Sequence, residues 1–340
     1  MDQGKTEAKN NFMKMKRIVF RIEGNNKIGM GHTFTTLRIA DKIKEKCELL
    51  FVMSNISNIG IDMIKSKKYE VKETDADNIE EQIWIIKNFK PDVVFNDLLH
   101  ADAGYMKLLK KNKIFTINME HSKETETRSM ADVVINSLYP DNNSMTEYHY
   151  GPEYSILSDS FKNLPKRYVS KECKKIFVCF GGSDISCLTL KVIKALSMSN
   201  LKADVVVVQN PNLERELKKI KIDRENIILH RGLKDLSGLM LNADIGIVSG
   251  GYTCYESAAT GLPVIILSQN ELEHDRNKLF IKYRTGIYLG KGADISDDEI
   301  IKAVNSLIND FKLRKEISEK GQKLVDGKGL DRVVDIIMNH

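Results

Sequence analysis

The chain has 340 residues, of which 42% are apolar and 29% charged, with 52 basic side chains against 47 acidic ones. That length predicts two domains of ordinary size. The small, dispersed excess of +5 speaks against nucleic acid as a partner and leaves an anionic small-molecule substrate compatible. Cys47, Cys173, Cys179, Cys187 and Cys254 form no CxxC pair, which points to reduced thiols and a cytoplasmic location.

The opening MDQGKTEAKNNFMKMK is polar and lacks the apolar core of a signal peptide, so residues 1–15 read as a disordered tail. No apolar run approaches the length of a membrane span, so no stable membrane insertion is expected. Arg17 to Ile22 reads as a strand, followed by a glycine-rich loop from Glu23 to Gly31. His32 then opens a helix to about Lys44, with Phe34, Leu37, Ile39, Ala40 and Ile43 for its apolar face. Gly29-Met30-Gly31 is part of a dinucleotide fingerprint, but the third glycine is missing, which disfavours a nicotinamide site. His32 stands where a strand's carboxyl end meets a helix. There an imidazole is either a base or a packed capping residue, and the local sequence does not separate the two.

Cys47 to Met53 is a predicted strand, and Ile59 to Lys67 and Asn78 to Phe89 are predicted helices, the second broken by Lys90-Pro91. Strands follow at Asp92 to Asn96, Lys113 to Asn118 and Val133 to Asn136. They end in Asn96-Asp97, Met119-Glu120-His121 and Asn136-Ser137. Turn chemistry accounts for any one of these polar ends; their recurrence at the same end of successive strands points to a cleft. Residues 140–171 carry many turn formers, and the interdomain linker is placed near Ser160 to Glu172.

The second half repeats the pattern. Lys175 to Phe180 is a strand, Gly181-Gly182-Ser183-Asp184 a turn, and Cys187 to Met198 a helix. Strands at Ala203 to Val208 and Ile227 to His230 alternate with helices at Leu213 to Lys219 and Asp235 to Asn242. The stretch ADIGIVSGGYTCYESAATGLPVIILSQ, Ala243 to Gln269, is strand, Gly-Gly turn, helix and strand in one unit. Adjacent glycines let backbone approach a ligand, and free N–H groups at a helix start favour a phosphate. Glu256, about one turn in, is placed to reach sugar hydroxyls; a tight turn with a solvated Glu256 is the plainer reading of the same residues. Glu273 to Tyr283 is a predicted helix, Gly286 to Leu289 a strand, and the remainder helical. Strands alternating with helices throughout predict an α/β protein. Its two Rossmann-like, doubly wound parallel-sheet domains span residues 16–160 and 161–340 and face a central cleft.

Four segments together resemble the GT-B superfamily of nucleotide-sugar enzymes. They are Gly29-Met30-Gly31-His32; Gly151-Pro152-Glu153-Tyr154 with Leu157; Phe180-Gly181-Gly182-Ser183-Asp184 with Leu188-Thr189-Leu190; and Ala243 to Pro263. The likeness is greatest to the UDP-sugar hydrolases of pseudaminic acid biosynthesis and their spore-coat polysaccharide relatives. The resemblance implies a GT-B-like fold and a UDP-sugar held mainly by the C-terminal domain. It places Glu256 on the ribose and the turn Ser249, Gly250, Gly251, Tyr252, Thr253 on the diphosphate. Gly29, Gly31, Gly182, Ser183 and Asn270 are further substrate-side positions, and His32 matches the catalytic residue, with no metal or cofactor. Asp97 and Glu120, carboxylates at neighbouring strand ends, are the reserve candidates. The implied reaction is hydrolysis of UDP-2,4-diacetamido-2,4,6-trideoxy-beta-L-altropyranose or a close relative. Glycosyl transfer from a UDP-sugar is the alternative, and binding without turnover a third reading. The chain departs from the family pattern in four places. Thr35 stands for the usual Arg, Glu120-His121 for paired aspartates, Glu271 for Gln, and Tyr252 where Ser is common.

Overall fold

The computed structural model describes residues 15–25, 29–119, 130–138, 147–182, 184–199, 201–217, 226–233 and 235–340. Most of the expected tail, together with Glu120 and Ser183, lies outside these residues. Strands β1 (Lys16–Ile22), β2 (Cys47–Ser54), β3 (Glu70–Thr74), β4 (Val93–Asp97), β5 (Thr116–Met119), β6 (Val133–Asn136) and β7 (Glu147–Tyr150) form one sheet. Its order is β3-β2-β1-β4-β5-β6-β7. Strands β8 (Lys175–Cys179), β9 (Asp204–Val208), β10 (Ile227–His230), β11 (Ile245–Ser249), β12 (Val264–Ser268) and β13 (Ile287–Lys291) form a second, in the order β10-β9-β8-β11-β12-β13. All pairings among these strands are parallel. In each sheet the chain order reverses beside the first strand: β1 lies between β2 and β4, and β8 between β9 and β11. Such switch points leave a crevice at the carboxyl ends of the strands, where open α/β sheets bind ligands.

Alternation along the strands covers both faces of each sheet. In β1, Ile18, Phe20 and Ile22 pack with Leu37, Ile39 and Ala40 of the Gly31–Ile43 helix, while Val19 packs on the other face with Leu50, Ile83 and Ile86. In β8, Ile176 and Val178 meet Leu188 and Val192, whereas Phe177 and Cys179 meet Tyr255 and Ala258. The final helix, Gly329–Asn339, sends Leu330, Val333 and Ile337 into the cluster of the first sheet. That helix belongs to the range counted with the second domain from sequence, yet its apolar face packs on the first. Gly329 permits the crossing, because a Cβ there would lie 2.1 Å from the Ser155 carbonyl oxygen.

Three elements escape the hydrophobic pattern. β3 is a polar edge strand, EVKET, and β7 is EYHY, so neither shows an apolar run. The Ala103–Lys111 helix is announced only by its cap, Asp102, whose side chain accepts from Tyr105 N–H at 2.9 Å. The helix expected over Glu273 to Tyr283 is two helices, Glu271–Arg276 and Lys278–Tyr283. The reason is Asn277, whose amide donates to Glu273 O at 2.7 Å and to Ser268 Oγ at 3.0 Å, in competition with the helical backbone.

Candidate active site

The first half of the site is set by the end of β1. The Glu23 carboxylate gathers the side chains of Arg21, Ser54 and Ser57, tying the ends of β1 and β2 together. Gly24 has no room for a side chain, since a Cβ would meet Thr33 Oγ1 at 2.0 Å. Gly29, at φ +87°, turns the chain into the helix. Among the described residues, a Cβ built on Gly29 or Gly31 meets nothing within 4 Å.

His32, the second residue of that helix, is buried, and its Nδ1 lies 2.7 Å from Asp97 Oδ1. Thr36, one turn on, donates to Asp97 Oδ2 at 3.1 Å. Asp97 ends β4 in register with Ile22, so the β1–β4 pairing at the switch point is what joins two residues 65 apart in sequence. A carboxylate only accepts, so Nδ1 carries the proton, and in the neutral tautomer the lone pair lies on Nε2. This is the geometry of an oriented general base. The other polar strand ends have structural partners. Asn96 donates to Asn118 at 2.8 Å and accepts from the Tyr105 hydroxyl at 2.9 Å, and Asn136 accepts from Leu138 N–H at 3.0 Å.

The second half offers two βα turns of unequal character. After β8, a Cβ on Gly181 or Gly182 would meet nothing within 4 Å among the described residues. The helix that follows, Leu188–Ser197, is stoppered by buried Asp184, which accepts from Leu188 N–H at 2.8 Å and Thr189 N–H at 2.9 Å. After β11, the Tyr252–Thr260 helix starts at Gly251 with no side-chain cap. The first-turn N–H groups of Tyr252 and Thr253 have no acceptor within the helix, so this end is suited to an anion. Gly250 is held tightly, because a Cβ would lie 2.0 Å from Asn277 Nδ2, and its N–H donates to Glu273 Oε2 at 3.2 Å. Burial pushes the Glu273 carboxyl up, partly offset by the N–H groups of Gln269 and Gly250.

The two halves meet through this helix. Tyr255 is buried, donates to Ser137 O at 3.1 Å and sets its ring edge-on to Phe280 at 5.0 Å. Tyr252 and Glu256, four residues apart and so on one helix face, have Arg38 of the Gly31–Ile43 helix as a shared charged neighbour. Burial pushes the Glu256 carboxyl up to about 7; Arg38 opposes the shift and Asp235 adds to it. Arg38, partly buried, also donates to Ile156 O at 3.0 Å.

No protein-family model matches the chain. It is 28% identical over 330 residues to the spore coat polysaccharide biosynthesis protein SpsG of Bacillus subtilis, covering 93% of this chain and 96% of that protein. It is 25% identical over 240 residues to the UDP-2,4-diacetamido-2,4,6-trideoxy-beta-L-altropyranose hydrolase of Campylobacter jejuni, covering 68% of this chain and 84% of the hydrolase. Among solved structures, MurG of Acinetobacter baumannii superposes with a TM-score of 0.74 over 96% of this chain and 100% of that one, at 13% identity. The chain has the GT-B fold.

On this GT-B scaffold the positions singled out from sequence fall into two groups. Gly29, Gly31, His32 and Asp97 gather at the β1–β4 switch point. Gly182, together with Ser249 to Glu256, follows the adjacent strands β8 and β11. Asn270 is the cap of the Glu271–Arg276 helix, accepting from Glu273 N–H at 2.9 Å. Glu271 turns outward to Lys291 at 2.8 Å, and Glu273 turns in. Thr36, Arg38 and Glu273 were not anticipated. Thr36 was readable as the residue one turn beyond His32, whereas Arg38 and Glu273 acquire their roles only from packing. Among the described residues no helix is long and apolar enough to cross a membrane.

Proposed function

We propose that this GT-B chain binds a UDP-linked amino sugar between its halves and hydrolyses it to free sugar and UDP in surface-polysaccharide or nonulosonic acid synthesis. The observation that carries the reading is the His32–Asp97 pair at one switch point, set near the uncapped helix start at the other. The diphosphate rests on the Ser249 to Thr253 turn and the ribose on Glu256. Water attacks the anomeric carbon, its proton passes to His32 Nε2, and the carbon–oxygen bond breaks with its electron pair leaving on the diphosphate. The likeness to the Campylobacter hydrolase supports the substrate class, and the likeness to SpsG supports a place in polysaccharide synthesis. Transfer to a sugar or lipid hydroxyl is the second reading, since the same base can deprotonate an alcohol. Incubating the protein with UDP-sugars and no acceptor decides between them. Hydrolysis gives UDP and free sugar in equal amounts at an enzymatic rate; release that depends on an added acceptor hydroxyl identifies a transferase.

Glu256 gives the reading a pH dependence. Its carboxyl titrates near 7, and the ionised form is the stronger acceptor for ribose hydroxyls, so UDP should bind more tightly at pH 8 than at pH 6, by up to about tenfold. The sign for stability is opposite. The folded state holds this proton more tightly than the unfolded chain does, so stability is lost as pH rises towards 7. Glu256→Gln should therefore raise the melting temperature at pH 8 while weakening UDP and flattening its pH profile. Calorimetric titration at the two pH values checks this, and a variant with the wild-type profile would remove Glu256 from the site.

A further inference from the structure

The Tyr252 hydroxyl is a buried polar atom beside the proposed site that the reading above leaves unexplained. Tyr252 is the first residue of the Tyr252–Thr260 helix, at the uncapped end. Its ring lies 6.0 Å from that of Tyr255, and its hydroxyl oxygen is buried without a hydrogen-bond partner of ordinary geometry. Leaving a buried hydroxyl unpaired is costly, and such atoms in native folds mark places where something else binds. The groups around it come from both halves. Thr35 and Arg38 belong to the Gly31–Ile43 helix, Asp97 is the partner of His32, and Arg276 lies beyond the Gly-Gly turn. The phenol thus stands between the helix start suited to a diphosphate and the base suited to activate water. Thr35 and Tyr252 are also two of the positions at which the chain departs from the pattern it resembles, and here they are neighbours. A small side chain on one helix leaves room for a large one reaching over from the other.

We propose that Tyr252 is a catalytic residue whose hydroxyl donates a hydrogen bond to the oxygen of the β-phosphate that leaves the anomeric carbon. The inference rests on the UDP-sugar reading and sharpens it. As the carbon–oxygen bond breaks, its electron pair and the negative charge go to that oxygen. The phenol keeps its own proton, so no acid step is needed. Burial, and then the neighbouring Asp97 charge, hold the phenol above its ordinary range, so it stays a donor at working pH. The hydrogen bond is weak to the esterified oxygen of the substrate and strong to the free phosphate of the product.

The test is Tyr252→Phe, which keeps the ring and its contact with Tyr255 and removes one oxygen. Turnover of UDP-sugar should fall about 10- to 100-fold, with substrate affinity little changed. UDP affinity should fall by a similar factor while UMP, which has no β-phosphate, binds as before. The UDP-to-UMP affinity ratio is the internal control for folding, since a misfolded variant loses both nucleotides together. A Tyr252→Phe protein that keeps the wild-type ratio and turnover overturns the inference, as does parallel loss of UDP and UMP that Tyr252→Trp, a bulky ring without the hydroxyl, restores. A wild-type protein that prefers neither UDP over UMP nor any UDP-sugar overturns instead the reading on which the inference rests.

Discussion

Replacing His32 with Asn is expected to slow the release of free sugar by at least about 100-fold while UDP binds almost normally. The imidazole sits on the first half of the molecule, held at Nδ1 by Asp97, and the proposed nucleotide contacts belong to the second half. On the proposed reading, loss of His32 therefore removes the proton acceptor for water without removing a nucleotide contact. Asp97→Asn should cost a comparable factor, about 10²–10⁴, because an amide in that place can donate to Nδ1 and favour the wrong tautomer. The two changes act on one unit, so the double variant should be little slower than either single one. Thr36→Val, which removes the second hydrogen bond to Asp97, should have a smaller effect of the same kind. Steady-state rates with UDP titrations on the same preparations check all four. If His32→Asn keeps near wild-type turnover while Asp97→Asn loses it, the base is Asp97 and the imidazole merely positions it.

How much of this was legible in the sequence differs between fold and site. Runs such as Ile245 to Val248 and Val264 to Leu267 are β-branched and short, and the helices between strands follow a helical period, so two parallel sheets could be read directly. What could not be read is where an element packs when its partner is far along the chain. The last helix carries an ordinary amphipathic pattern, and nothing in that pattern says that Leu330, Val333 and Ile337 close the first core rather than the second. β3 and β7 were missed because edge strands bury little, so their residues need not be apolar.

The site shows the same divide. His32 was placed by its strand-to-helix position, and Asp97 by its strand end, but their contact depends on the register of β1 against β4. Glu271 stood out because it replaces a common Gln, yet it faces Lys291, and the acid two residues on is the one that reaches the Gly250 N–H. Helix phase decided between them, through the Asn270 cap that fixes where the helix begins. Thr35 and Tyr252 each read as an isolated departure, and only the meeting of the two halves makes them one feature.

The turn between β11 and the Tyr252–Thr260 helix yields a sharp contrast between neighbouring glycines. Gly251 has φ −92°, a conformation open to any residue, and a Cβ there would meet Glu273 Oε1 at 3.5 Å and Ser249 Oγ at 3.7 Å, ordinary contact distances. A side chain at Gly251 is thus compatible with the free protein, at a cost of about 1 kcal/mol for a poor helix cap. It would project into the space over the uncapped N–H groups. Gly251→Val should therefore stay folded and lose UDP affinity by about 100-fold or more, the loss of two charge-assisted hydrogen bonds. Gly250→Ala should behave in the opposite order. Its Cβ would meet the Asn277 amide at 2.0 Å, and Asn277 is held by Ser268 and Glu273, so the strain of overpacking, about 1–3 kcal/mol, falls on stability first. Melting temperatures and UDP titrations on both variants separate a binding surface from a packing constraint. Unchanged UDP affinity in soluble Gly251→Val would mean that the diphosphate does not rest on this turn, and the turn after β8, at Gly181 and Gly182, would become the place to look.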